Sequence, residues 1–290
     1  MSLARPAFAE EDRAAVWLAT IAGPAVADLT VADSRIVPPK PTPWNDHELD
    51  PVWCARITSP GAEAGYLMWE TKAEGRLLEF ALPKLGSVPG EHQLAAVPNL
   101  QQFGVSGVTA PQVCSGCVPT AAANLVAYWA ARGFPKWGGA GESRALNEDE
   151  LRAVAVRLRK LLKMSEIPDD LGYTDDHRPL SGAMPADLAK ALQVDAAAHG
   201  VQAVIAFAPF AAETFRSEID AGRPVLLTCR VRLPQKPELS WGHELTGVAW
   251  AEVGGALFVG VRDNFYPAQG IETRWVRAEV FESMITARPE

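Results

Sequence analysis

"QVCSGCVPTAAANLVAYWAARG", residues 112–133, places two cysteines two residues apart, directly ahead of an apolar run. Ala121, Leu125, Tyr128 and Trp129 recur at i, i+4, i+7 and i+8, one face of a helix, and Gly133 and Pro135 end it. Three chemistries fit Cys114 and Cys117. A thioredoxin-like dithiol needs its C-x-x-C soon after a strand, whereas "QQFGVSGVTAPQ" ahead of it is loop-like. A structural zinc needs about four ligands, and Cys54, Cys229 and the histidines do not supply the spacing. The third reading puts Cys117 alone at the helix start. Pro119 fits a first turn, where its missing N–H costs nothing, and the positive end of the helix dipole favours a thiolate. A thiolate nucleophile then needs a base within hydrogen-bond reach and a group to orient that base.

The rest of the chain sets the frame for that helix. It has 290 residues, 48% hydrophobic and 21% charged, enough for one large domain or two modest ones. A net charge of −8 gives no basic footprint for nucleic acid. No run of about 18 uncharged apolar residues suggests a membrane span. "AAVWLATIAGPAVA" (14–27) follows the acidic "EEDR" and is interrupted by Gly23-Pro24, so it reads as an amphipathic helix and not a signal peptide. Four cysteines in this length make no disulfide framework and fit a reducing, cytoplasmic setting.

The five prolines of "IVPPKPTPWNDHELDP" (36–51) forbid regular structure there. After them "VWCARIT", "GYLMWET" and "RLLEFALP" read as a small antiparallel meander. A boundary near residue 95 separates this N-terminal helix and β-rich region (1–95) from a larger domain (96–290). In the larger domain a second helix begins at Asn147, with Glu150 three residues on as in a capping box. A third covers roughly 185–198 and ends at Gly200. Then come "VQAVIAF", a short helix over 210–221, and "RPVLLTCRV". Strand patterns follow: "HELTGVAWAEV", a Gly254-Gly255 turn, "ALFVGVRDNF" and "ETRWVRAEVF". Helices first and an antiparallel sheet second is an α+β layout.

Among the histidines, His47, His92 and His177 lie in loops or linkers, and His199 sits at a helix C-terminus, where a cation is welcome. His243 differs: it opens a strand, and the returning strand ends in "VRDNF", bringing residues 263 and 264 back beside it. A two-residue Gly254-Gly255 turn puts Asn264 on its face, and a longer loop or a bulge puts Asp263 there. Trp241, two residues earlier, falls on the same face and is expected to wall the cleft.

Together these stretches resemble a known family. "GCVPTAAANLVAYW" is similar to the nucleophile helix of papain-like cysteine peptidases, above all the bacterial bacteriocin-leader-peptidase-like branch and streptopain. "AGRPVLL" and "GHELTGVAW…LFVGVRDN" resemble the strands that carry their histidine and the Asp or Asn after it. The resemblance covers about residues 95–285. It implies a papain-like α+β fold and a cysteine peptidase acting on a peptide or protein substrate through a thioester, without metal or organic cofactor. Cys117 would be the nucleophile, His243 the base, and Asp263, by the family pattern, or else Asn264, the orienting group. "VPNLQQF" resembles the branch's oxyanion element and selects Gln102, with Gln112 the alternative by proximity to Cys117. The same site implies an acyltransferase, or a silent papain-like binding module, as further readings. Cys114 is left without a role.

Overall fold

The computed structural model describes residues 10–22, 29–37, 51–59, 62–71, 75–82, 88, 90–105, 114–164, 183–233, 236–264 and 273–290. Gln112, His47, His177 and most of the proline-rich stretch lie outside the described residues. The helices are α1 (Glu10–Ala22), α2 (Cys117–Ala130), α3 (Glu148–Leu161), α4 (Pro185–Ala198) and α5 (Ala212–Asp220). The strands are β1 (Thr30–Val37), β2 (Val52–Ser59), β3 (Ala62–Glu70), β4 (Leu77–Ala81), β5 (His92–Gln93), β6 (Ala203–Pro209), β7 (Val225–Leu233), β8 (Lys236–Val253), β9 (Ala256–Arg262), β10 (Arg274–Arg277) and β11 (Phe281–Pro289).

All the strands join one antiparallel sheet in the order β1-β2-β3-β4-β10-β9-β8-β7-β11-β6, with β5 added beside β8. This is a mixed α+β molecule with a large sheet. The stretch "ETRWVRAEVF" is not one strand. A 3-10 turn at Ala278–Val280 breaks it, so β10 pairs with β4 and β9 while β11 crosses to lie between β7 and β6. The β-run expected to start at His243 instead begins at Lys236, because β7 continues to Leu233 and pairs with Ser240, Trp241 and Gly242 and, across a bulge, with Lys236.

Both faces of the central strands are covered. Helix α2 buries every residue except Cys117 and Trp129, as befits a helix apolar on all sides. It shares a core with α3, α4 and the Leu226, Ile285 and Ala287 side chains of the sheet. Polar groups tie it down: Thr246 donates to the Ala121 carbonyl, and Asn124 accepts from the Leu100 N–H. Helix α3 starts on the expected capping box, Asn147 and Glu150 exchanging bonds with each other's backbone. Helix α4 ends at His199, whose Nδ1 meets the Asp195 carbonyl, next to Gly200.

The opposite face holds a second core that takes in α1, α5, strands β2–β4 and Leu227, Cys229 and Leu245 of β7 and β8. This core and the sheet both run across residue 95. Phe80 of β4 links the two portions, stacked on Trp275 of β10 at 5.8 Å and tilted against Phe258 of β9 at 5.3 Å. Phe80→Ala is therefore expected to cost about 3–5 kcal/mol. In urea, fluorescence and circular dichroism should shift together as one transition. An early transition confined to one probe would mean that β1–β4 unfold alone.

Candidate active site

Cys117 is the first residue of α2, so its N–H has no acceptor within the helix. Gly116 turns the chain into the helix at φ +84°, a conformation that side chains rarely adopt. A Cβ there would also lie 2.8 Å from Met164 Cε. Ser115 is buried and pairs with Phe103, accepting its N–H on Oγ and donating its own N–H to the Phe103 carbonyl. That ladder draws the 100–104 segment against the helix start.

Gln102 lands there as a consequence. Its N–H donates to the Asn264 carbonyl at 2.9 Å, and its Nε2 donates to Asn264 Oδ1 at 3.1 Å. Its Oε1 accepts from Cys114 Sγ at 3.4 Å. Asn264 is fully buried at φ +53°, in the left-handed region that asparagine tolerates. Its Nδ2 reaches the Glu244 carbonyl at 3.0 Å and the Cys117 carbonyl at 3.4 Å. Three distant segments, around 102, 117 and 264, thus converge on one helix terminus.

His243 does not join them. On β8, Thr246 faces α2 through its bond to Ala121, and by alternation Glu244 shares that face. Thr228, directly opposite on β7, donates to Glu244 Oε2 at 2.7 Å. His243 and Leu245 project to the other face, with Cys229 and Leu227 as their cross-strand neighbours in the second core. By this alternation the His243 side chain leaves β8 on the face opposite Glu244 and Thr246, whereas a contact between its ring and Cys117 was the expectation.

The turn geometry accounts for the neighbours of His243. Val253 pairs with Ala256 across a Gly254-Gly255 turn, both glycines at positive φ as a two-residue hairpin demands. A bulge then shifts the register between Gly247 and Ala249, which returns Asp263 to the face of His243 and sends Asn264 to that of Glu244. His243 Nε2 lies 3.3 Å from the Asp263 carbonyl, while the Asp263 carboxylate is held by Arg274. Arg274 also approaches Glu79, at 3.8 Å, and Glu79 accepts from the Tyr66 hydroxyl. Trp241 stands on β8 opposite Val231, and its side chain lies outside the described residues.

The electrostatics follow from burial. The Cys117 thiol is pushed up to about 11 by desolvation. The Glu244 N–H aimed at the sulfur opposes this, and the Glu244 carboxyl adds to it. The lowering expected from the helix dipole is thus outweighed by desolvation. Burial holds His243 down at about 4, with Asp263 opposing, and raises the Glu244 carboxyl to about 8. Glu244 Oε1 is buried with no hydrogen-bond partner among the described residues. Glu244 is the side chain that sequence reasoning missed; it stands next to His243 and differs only in strand face. No cluster of three or more metal-binding side chains occurs among the described residues. No family model matches the chain, and no curated protein matches it.

Two outcomes check this geometry. Alkylation of Cys117 by iodoacetamide should be slow at pH 7 and climb with pH toward 11, since only the thiolate reacts. Fast labelling at neutral pH would place a base at the sulfur. For Glu244 the folded pKa lies above its unfolded value, so its protonated form stabilises the fold at low pH. That stability is lost as pH rises from about 4.5 to about 8. Glu244→Gln does not titrate, so its stability relative to wild type should improve between pH 5 and pH 8.5 by at least about 1 kcal/mol. A constant difference across that range would mean that Glu244 is ionised in the fold.

Proposed function

We propose that the chain is a cysteine-dependent acyl-transfer enzyme of papain-like kind that cleaves peptide bonds, with Cys117 as nucleophile and Glu244 in place of His243 as its base. The observation that carries this reading is the gathering of Gln102, Asn264 and a buried, incompletely bonded Glu244 around a thiol at a helix start. A cysteine that merely filled core would need none of them.

The steps balance with these groups alone. The Glu244 carboxylate takes the Cys117 proton as the sulfur attacks the substrate carbonyl. The Cys117 N–H faces the developing oxyanion, and the Gln102 amide can join it by exchanging its bond to Asn264. Glu244 then gives its proton to the departing amine, leaving a thioester. Water attacks the thioester while Glu244 takes the water proton, and the regenerated thiol recovers a proton from Glu244. An amine in place of water makes the same centre an acyltransferase.

A second reading, a silent papain-like module that binds peptide, is favoured by the His243 side chain leaving β8 on the face opposite Glu244 and by a thiol pushed up to about 11. Digestion of a peptide library, followed by mass spectrometry with Cys117→Ser as the blank, separates the two. Cleavage should be absent in the blank and should rise with pH through about 8 in wild type, as the Glu244 carboxylate forms. Glu244→Gln should lower kcat by about 10²–10⁴, whereas His243→Ala should leave it within about threefold. If His243→Ala is inactive and Glu244→Gln is not, the imidazole is the base. If wild type matches the blank from pH 6 to 10, the binding module is the correct reading.

A further inference from the structure

The two ends of the sheet are treated differently by the sequence. Strand β1 closes one end with "TVADSRIV", which carries Asp33 and Arg35, an ion pair from Asp33 to Arg56 and a bulge between Val31 and Asp33. Charges and bulges on an edge discourage further pairing. Strand β6 closes the other end with "AVIAFAP", which has no charged residue. It pairs with β11 at seven successive positions without a register shift. Val204 is 52% exposed and Phe207 45%, and Ala206 and Ala208 between and beyond them are exposed too. Among the described residues nothing pairs with the outer edge of β6, and a regular, apolar edge of this length is a template for another strand.

We propose that β6 pairs antiparallel with β6 of a second copy of this chain, about a twofold axis at Ala206, so that the sheet continues through the dimer. The occupant is argued from the strand itself. About that axis Ala206 meets Ala206 of the partner copy, Val204 meets Ala208, and Ile205 meets Phe207. Small residues sit at the centre, large faces small on one side of the sheet, and no like charges oppose one another. A charged peptide would find no opposite charge on this strand. Pro209, which lacks an N–H, falls at the end of the pairing, where one missing bond matters least. On one face α4 covers Ala203 and Ile205, and Val194 of α4, 56% exposed, adds apolar surface toward a partner. Each copy carries −8, so screening by salt should strengthen the association. This inference is independent of the chemistry proposed for Cys117.

The test is mass in solution, by light scattering coupled to gel filtration and by sedimentation velocity. Wild type should move from 31.2 kDa toward twice that mass as concentration rises to about 100 µM, more readily at higher salt. Ala206→Lys places the usual edge-guarding charge on an exposed position and should stay at 31.2 kDa throughout, with an unchanged circular dichroism spectrum. Asp33→Ala, on the other edge, should dimerise like wild type. Hydrogen exchange at 203–209 should slow as the dimer forms. A monomer at every concentration and salt overturns the proposal. So does an Ala206→Lys protein that still dimerises, because the contact would then lie on another surface.

Discussion

The side-chain alternation of β8 governs how everything around the candidate site is disposed. This strand is central, with α2 packed on one face and a second core on the other, so that residues 243–249 are buried on both faces. The buried Thr246 hydroxyl finds its acceptor in the Ala121 carbonyl of α2, and with Thr246 on that face alternation puts Glu244 beside it and His243 on the far side. A shift of one residue would exchange the two faces. It would also leave Thr246 without its acceptor and drive Leu245 into the polar terminus of α2. The bulge at Gly247/Ala249 completes the arrangement by setting where Asp263 and Asn264 come back.

On the far face a chain of buried and half-buried polar groups runs through His243. Tyr66, Glu79, Arg274 and His243 come from four different strands, β3, β4, β10 and β8, and Asp263 directly follows β9. Buried charges are costly unless they are paired, and here the Arg274 guanidinium sits between two carboxyl groups. Burial raises Glu79 to about 7, against the pull of Arg274 and the Tyr66 hydroxyl. The cluster binds the β2–β4 meander to the strands that carry the site, so the chain on either side of residue 95 shares electrostatics as well as a core.

The helical part of the fold was legible because each helix carried its own punctuation. Asn147 and Glu150 marked α3, and Gly200 closed α4. The start of α2 at Cys117 could be read from Pro119. Strands were harder. "TVADSRIV" has no clean alternation and was not singled out, and β11 was merged with β10 because a three-residue turn leaves little trace in composition. For the site, Cys117, Gln102 and Asn264 lie together in the fold. His243 does not, for a physical reason. "HELT" offers polar residues to both faces, and a strand covered on both faces gives no hydrophobic period from which to choose. Only a tertiary bond, Thr246 to α2, breaks the tie. The thiol of Cys117 is raised for a related cause, since a helix terminus visible in sequence does not show how far the sulfur is desolvated.

The position of β11 has a consequence for the order of events during synthesis. It is the last described strand to be made, yet it is inserted between β7 and β6, strands made well before it. Until it emerges from the ribosome, β6 has no neighbour and β7 has only β8. Helix α4 would then cover a surface that is not yet built. The meander β1–β4 can zip up early, but it too waits for β10 before joining the remainder. The complete sheet is thus a late, non-local event, and in the interval the nascent chain exposes an apolar strand that holding chaperones would have reason to bind.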